Sequence, residues 1–220
     1  RRRQREQLGP VHQQFLRRNG ELGPLVVAEA VGRRFEHGEG RHVGLRLGRI
    51  RAPRREGNGH LVAGVLGRLL HTGAPREDDH ISLANTLDTV FERREFSISR
   101  DIASLDWSDW LSCVNSPKTL ALVSGGDWSH YVRAAALRLQ ERFRGTPLLG
   151  ADIVTHGTIP PGSGLSSSSA GVVGAAEVLV AVNHLPVRPN ILVDLCGEGE
   201  WFVGTRGGAA DHAAIKCCRR

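Results

Sequence analysis

The chain has 220 residues, 40% of them hydrophobic and 24% charged, with a formal net charge of +6. This length is ample for a hydrophobic core, whereas no apolar run approaches the ~20 residues that span a bilayer. The arginine-rich start lacks the apolar stretch of a signal peptide, and the four cysteines show no metal-ligand spacing. The sequence therefore argues against a membrane protein and a disulfide scaffold, and it predicts a reduced, cytoplasmic protein.

Composition changes abruptly after residue 71. Residues 1–71 contain 15 arginines, no lysine, six glutamates and no aspartate, a net charge of +9, so residues 72–220 carry −3. Three interpretations of the first segment stay open: a basic arm that binds nucleic acid, a disordered extension, or translation of a GC-rich gene in a wrong frame. Its arginines have no aromatic interleaving, so nucleic-acid binding is the weakest of the three. We therefore separate an atypical Arg/Gly-rich segment, residues 1–71, from a folded domain, residues 72–220.

The first elements of that domain follow from the spacing of apolar residues. Alternation between residues 88 and 99 predicts strand edges of a half-buried sheet. Ser129 is expected to cap a helix that runs to about Arg144, because apolar positions recur at intervals of three and four. A strand is predicted over residues 152–159.

The next stretch, residues 159–170, reads Ile-Pro-Pro-Gly-Ser-Gly-Leu-Ser-Ser-Ser-Ser-Ala. Its glycines free the backbone from the usual φ limits, and residues 170–182 predict a helix. A turn of this kind aims several backbone N–H groups at one place, where the helix dipole favours a phosphate. The serine hydroxyls can serve phosphate oxygens or Mg²⁺. This order of residues predicts a phosphate site that lacks the lysine of a P-loop. The alternative is an ordinary Gly/Ser loop that caps a helix.

Two elements follow this helix. A second helix is predicted from about Asn190 to Trp201, with apolar residues on one face. A glycine-rich bend over residues 204–208 then presents Asp211, because glycine lets the backbone approach a ligand closely. Arg206 in this bend could offer charge to a phosphate, although a surface role is commoner for arginine.

Two of these motifs resemble one family. The loop at residues 160–170 resembles the nucleotide loop of the GHMP kinases, which include galactokinase, homoserine kinase and mevalonate kinase, and its Leu-Ser-Ser-Ser order is most similar to galactokinase. Residues 202–212, Phe-Val-Gly-Thr-Arg-Gly-Gly-Ala-Ala-Asp-His, resemble the segment that carries the family's catalytic aspartate. A Trp…Tyr-Val helix start at residues 128–132 is also similar. The resemblance covers roughly residues 74–216.

The resemblance implies an α+β fold, the GHMP-kinase N-terminal domain of the ribosomal protein S5 domain 2-like type, with a mixed sheet backed by helices. The chain is expected to hold that domain incompletely and to lack the family's second domain. The motif with which the family holds its sugar should lie early. Ile-Arg-Ala-Pro at residues 50–53 resembles its lead-in, but the residues that follow do not continue the motif.

The resemblance also implies ATP and Mg²⁺ as cofactors and assigns roles to residues. Asp211 is expected to be the catalytic residue, which accepts or orients the proton of the sugar hydroxyl, and both it and Gly208 are expected to bind the substrate. Ser168 is expected to contact Mg²⁺. Counting back from the bend places the family's metal-binding glutamate between Glu198 and Glu200, and Glu200 is our choice. The expected ATP-binding residues are Pro161, Gly162, Ser163, Gly164, Leu165, Ser166, Ser167 and Ser168.

We therefore expect a galactokinase-like enzyme that phosphorylates a monosaccharide hydroxyl with ATP, and we expect this chain alone to be inactive. ATP and a small sugar are the expected partners, without a membrane or nucleic acid. His212 stands where galactokinases usually have Gln, which leaves the sugar open. Two alternatives remain: a GHMP kinase that acts on another small alcohol, and a non-catalytic galactokinase-like sensor of ATP and sugar.

Overall fold

The computed structural model of the chain describes residues 26–37, 40–47, 68–159 and 166–217, with side chains from residue 69 onwards. The strands are β1 (Val26–His37), β2 (Gly40–Leu47), β3 (Arg68–Pro75), β4 (His80–Asn85), β5 (Arg94–Ser97) and β6 (Ala151–Gly157). The helices are α1 (Ile98–Ser104), α2 (Trp110–Asn115), α3 (Pro117–Val123), α4 (Ser129–Arg142), α5 (Ser167–Val182), α6 (Pro189–Gly199) and α7 (Ala210–Cys217), with a 3₁₀ turn (Glu200–Val203) between the last two. Of the helices in these ranges, none combines the length and the apolar character that a bilayer crossing requires.

The described strands form one sheet in the order β2-β1-β3-β6-β4-β5. Neighbouring strands are antiparallel except β4 and β6, which run parallel. The helices α1 to α4 lie in the connection between this parallel pair, which requires a long crossover. The structure thus confirms the predicted α+β class with a mixed sheet backed by helices.

Strands β1 and β2 lie within residues 1–71, for which the sequence predicts no regular element. Strand β1 pairs with β3 from Val26↔Gly73 to Val31↔Arg68, so backbone hydrogen bonds join this part of the segment to the domain. Strand β3 also crosses residue 71, and the division of the chain at that residue stays a prediction. The remainder of the segment, including the Ile-Arg-Ala-Pro sequence, lies outside the described residues.

Helix α5 is at the centre of the core. It packs on β1 and β3 of the sheet and against α4, α6 and α7. Most of its residues are buried, and its sequence consists mainly of alanine, glycine and valine. Small residues allow close approach: a Cβ on Gly73 of β3 would lie only 2.3 Å from Cγ1 of Val178. This packing sets the N-terminal end of α5 among the strands and helices that form the site described below.

The start of α5 differs from the prediction. The helix begins at Ser167 and not at Ala170. Serine lowers helix stability when its hydroxyl competes for the local backbone, but Ser169 donates its hydroxyl to the side chain of Glu200. The serines can therefore enter the first turn of the helix.

The other boundaries also need correction. Helix α4 ends at Arg142, and its N-cap residue is Trp128; the preceding Asp127 accepts at Oδ1 from the backbone nitrogen of Ser129 at 2.9 Å. Ser129 is therefore the first residue of the helix and not its cap. Of the strand pattern predicted between residues 88 and 99, only β5 pairs with a neighbour, because residues 88–90 form a turn. The helix predicted to reach Trp201 tightens into the 3₁₀ turn after Gly199.

Candidate active site at the start of helix α5

The residue before α5 has an unusual backbone conformation. Ser166 has φ 53° and ψ 41°, in the left-handed region that residues other than glycine rarely adopt. The Ser166 hydroxyl donates to Oδ2 of Asp211 at 2.5 Å. Asp211 lies in the first turn of α7. The structure therefore brings the predicted catalytic residue to the predicted phosphate-binding end of α5.

Glu200, the first residue of the 3₁₀ turn, is 4% exposed and lies against the same end of α5. The Ser169 hydroxyl donates to Oε1 of Glu200 at 3.2 Å. Burial raises the pKa of the Glu200 carboxyl and the charge of Asp211 adds to this rise, whereas hydrogen bonds from Ser168 and Ser169 oppose it. Ser168 and Glu200, the two residues predicted to bind Mg²⁺, thus lie together.

The neighbouring Glu198 is placed differently. Its Oε2 accepts from Nε of Arg138 on α4 at 2.9 Å, and its backbone carbonyl accepts from Nε1 of Trp110 on α2 at 2.9 Å. Glu198 therefore holds α6 to its neighbours. Of the two glutamates that the sequence leaves as candidates, Glu200 is the one that faces the start of α5.

The oxygen atoms at this end of α5 are of the type that Mg²⁺ prefers. Within the part of the chain whose side chains are described, no three or more His, Cys, Asp and Glu side chains are grouped to hold a metal ion. Mg²⁺ usually shares its coordination shell with nucleotide phosphates and needs few protein ligands. The hydroxyl of Ser168 and the carboxylate of Glu200 fit an ion bound in that way.

Most of the predicted phosphate loop lies outside the described residues. This holds for Pro161, Gly162, Ser163, Gly164 and Leu165. Ser166, Ser167 and Ser168 are described, and all three are partly exposed. The first turn of a helix leaves its backbone N–H groups without intrahelical partners, and the helix dipole favours an anion there.

The bend at residues 204–208 carries two further predicted residues. Gly208 is exposed, and a Cβ at this position would meet no atom within 4 Å, so packing among the described residues does not require glycine there. Arg206 donates to Oδ1 of Asn115 at 2.5 Å, and its guanidinium carbon lies 5.4 Å from the centre of the Trp201 ring. Arg206 therefore ties the bend to α2.

An apolar cavity of about 140 Å³ lies beside the start of α5. Trp128 and Tyr131 near the start of α4 and Phe91 from the β4–β5 loop supply its aromatic walls. The rings of Phe91 and Trp128 meet edge to face with centroids 6.0 Å apart, and Nε1 of Trp128 donates to the carbonyl of Glu92 at 3.0 Å. The first two residues of α5 also line this cavity. It can accept a flat apolar group whose polar continuation lies at the helix end.

Three polar residues from adjacent strands complete the cavity: His71 on β3, Thr155 on β6 and Asn85 on β4. The sheet register pairs Thr155 with each of the other two. Nδ1 of His71 lies 3.1 Å from Oγ1 of Thr155, and burial lowers the pKa of His71 to about 4, so its ring is neutral at pH 7.

Sequence reasoning did not identify these cavity residues. No local pattern could have found His71, Asn85 and Thr155, because only strand pairing makes them neighbours. The aromatic residues Trp128 and Tyr131 do carry a signal, the Trp…Tyr-Val helix start, to which the sequence assigns no role.

Residues 130–219 match the family model described as GHMP kinases N terminal domain. The galactokinase of Saccharomyces cerevisiae is 29% identical over 148 residues, which cover 62% of this chain and 25% of the yeast protein. The galactokinase of Roseiflexus sp. is 35% identical over 103 residues, which cover 42% of this chain and 26% of that protein.

Solved structures share the fold. The Lactococcus lactis galactokinase complexed with galactose superposes with a TM-score of 0.64 at 20% identity, over 94% of this chain and 45% of that one. The Methanococcus jannaschii mevalonate kinase gives 0.52 at 14% identity, over 68% of this chain and 41% of that one. The chain thus spans about a quarter of the length of the curated relatives it matches and less than half of these structures. Residues 130–219 thus match the N-terminal domain of the GHMP kinases, and galactokinases are among both the curated relatives and the solved structures to which the chain is similar.

Proposed function

We propose that this chain supplies the nucleotide-binding domain of an enzyme that phosphorylates a monosaccharide hydroxyl with ATP. The observation that carries the proposal is the hydrogen bond between Ser166 and Asp211. It joins a helix end suited to phosphate with a carboxylate suited to proton transfer. Phosphoryl transfer needs these two features close together, because the attacking hydroxyl must meet the terminal phosphate.

In this proposal ATP lies across the start of α5. The aromatic faces of Trp128 and Tyr131 would hold the adenine in the apolar cavity, since flat bases stack on such rings. The phosphates would then reach the N-terminal turn of α5 and the loop at residues 160–165. Ser166, Ser167 and Ser168 would offer hydroxyls to the phosphate oxygens.

Mg²⁺ would be held by Ser168 and Glu200 together with the nucleotide. When bound, the ion neutralises the charge on the phosphate oxygens during transfer. Burial keeps Glu200 away from bulk water. Because the Ser169 hydroxyl of α5 donates to its carboxylate, this group is directed at the helix end.

Asp211 would act on the acceptor. Its carboxylate accepts a hydrogen bond from the Ser166 hydroxyl in this structure. In the complex with ATP and sugar, the sugar hydroxyl would donate to this carboxylate and be oriented for attack. Gly208, at the exposed bend before α7, would lie beside the sugar, where the lack of a side chain leaves space.

A galactose-type sugar is the acceptor that the relatives favour. The matched yeast and Roseiflexus proteins are galactokinases, and the Lactococcus lactis structure holds galactose. ATP as the phosphate donor and thiols that are free among the described residues fit a reduced, cytoplasmic setting.

The test is a measurement of ATP binding by calorimetry and of sugar-dependent ADP formation in the complete protein. Galactose is compared with other monosaccharides and with homoserine and mevalonate, which separates a sugar kinase from the kinases of other small alcohols. ATP binding without ADP formation for any acceptor would indicate the sensor instead. A protein that binds no ATP would contradict both.

A further inference from the structure

His212 on α7 has an unusual environment. The residue is 1% exposed, and both ring nitrogens are buried without a hydrogen-bond partner. Buried polar atoms are nearly always paired, because an unpaired one loses its bonds to water without compensation. A buried histidine with two free nitrogens therefore calls for an explanation.

The carboxylate of Glu200 faces this ring. Nε2 of His212 lies 3.7 Å from Oε2 of Glu200, and both side chains are buried. The other oxygen of the same carboxylate, Oε1, accepts from the hydroxyl of Ser169 on α5. A shift of about 0.8 Å would bring the nitrogen and Oε2 to hydrogen-bond distance.

We propose that His212 is the positioning residue of Glu200: its Nε2–H donates to Oε2 and fixes the plane of the carboxylate. With Oε2 held by α7 and Oε1 directed at α5, the carboxylate keeps one orientation toward the start of α5. The inference rests on the proposed function in one respect, the use of Glu200 for Mg²⁺. A donor behind a metal-binding group typically changes metal affinity about 10- to 100-fold.

The pairing itself is tested without nucleotide, by a double-mutant cycle on the free energy of unfolding in urea. His212→Leu removes the donor, and Glu200→Met removes the acceptor. We expect His212→Leu to be more destabilising in the parent protein than in the Glu200→Met background. Additive effects of the two changes would overturn the pairing.

The positioning role is tested by calorimetry of ATP with and without Mg²⁺. We expect His212→Leu to reduce the Mg²⁺-dependent gain in ATP affinity about tenfold or more. His212→Gln, which keeps an N–H donor, should retain most of the gain. An unchanged gain in His212→Leu, or an equal loss in His212→Gln, would overturn the role.

A matched control is His80→Leu. His80 also has a buried Nδ1 without a hydrogen-bond partner. It is the first residue of β4, whereas the cavity residue Asn85 is the last, so His80 lies at the other end of the strand. His80→Leu should leave the Mg²⁺-dependent gain in ATP affinity unchanged. A loss equal to that of His212→Leu would mean that removal of any histidine with a buried nitrogen has this effect, and it would overturn the specific role of His212. If the parent protein binds no ATP, the proposed function fails, and the cycle alone decides whether His212 holds Glu200.

Discussion

The hydroxyl of Ser166 lies 2.5 Å from Oδ2 of Asp211, although the two residues are 45 positions apart. Ser166 precedes α5 and Asp211 lies in the first turn of α7, so this hydrogen bond forms only when the two helices pack together. The left-handed backbone of Ser166 is strained for a residue with a side chain. Strain of this kind is common where a chain must present a group for function.

Asp211→Asn should abolish most turnover in the complete enzyme while ATP affinity stays within about twofold. The amide is nearly isosteric and can still accept from Ser166, but it cannot take a proton, and this help is worth about 10²- to 10⁴-fold. Sugar-dependent ADP release and calorimetry give the two quantities. A variant with near-normal turnover would remove Asp211 from the chemistry.

Trp128→Ala should weaken ATP binding by roughly tenfold or more, because base–aromatic stacking contributes about 1–3 kcal/mol. Trp107→Ala is the matched control. Its ring packs edge to face on Trp110, with centroids 6.5 Å apart, and it does not line the cavity. Equal losses of ATP affinity in the two variants would show that the cavity is not the base site.

Two glycines of α5 should respond oppositely to alanine. A Cβ on Gly174 would lie 2.3 Å from Cδ2 of His71, whereas a Cβ on Gly171 would lie 3.6 Å from Cβ of Tyr131, an ordinary contact. We expect Gly174→Ala to lower the free energy of unfolding by about 2 kcal/mol through overpacking. Gly171→Ala should raise it by up to about 1 kcal/mol, since alanine favours the helix. Thermal or urea unfolding measures both, and a stabilised Gly174→Ala would contradict the close packing.

The free energy of unfolding should fall on acidification through His71. Its pKa is about 4 in the folded protein and about 6.5 when unfolded, so between these values the unfolded chain binds the extra proton. Stability is therefore full above pH 6.5 and is lost as the pH falls towards 4, by about 2 kcal/mol between pH 7 and 4.5. Burial also lowers the pKa values of His130 and His212, and their effect has the same sign. Urea unfolding of the parent and of His71→Gln at the two pH values therefore isolates the contribution of His71. We expect the free energy of unfolding to fall less on acidification in His71→Gln, and an equal fall in both proteins would contradict this contribution.

Glu177, the one charged residue of α5, is buried and forms an ion pair with Lys216 of α7. Lys216→Met should lower the free energy of unfolding by about 3 kcal/mol, because it leaves a buried carboxylate without its partner. Adding Glu177→Leu to Lys216→Met should recover most of this loss, since a buried pair gains little over apolar packing. Urea unfolding gives the free energy of unfolding of the single and the double variant. A double variant less stable than Lys216→Met would argue against the pairing.

Much of the site follows from local sequence. The run of small residues after the serines predicts a helix, and the glycine-rich bend before Asp211 lets the backbone approach a ligand closely. The resemblance to the GHMP kinases leaves Glu198 and Glu200 as candidates for the metal-binding glutamate. Packing separates them, because Glu198 pairs with Arg138 whereas Glu200 is buried against α5.

The sequence by itself therefore predicted the helix after the serines, which depends on residue type and spacing. Through its resemblance to the GHMP kinases it also implied the α+β class and Asp211 as the candidate base. Only the tertiary structure decided which distant residues meet. The sheet register sets Thr155 beside His71 and Asn85, and the docking of α7 on α5 sets Asp211 against Ser166. Such pairings depend on burying apolar surface between elements far apart in the chain, and no local pattern encodes that.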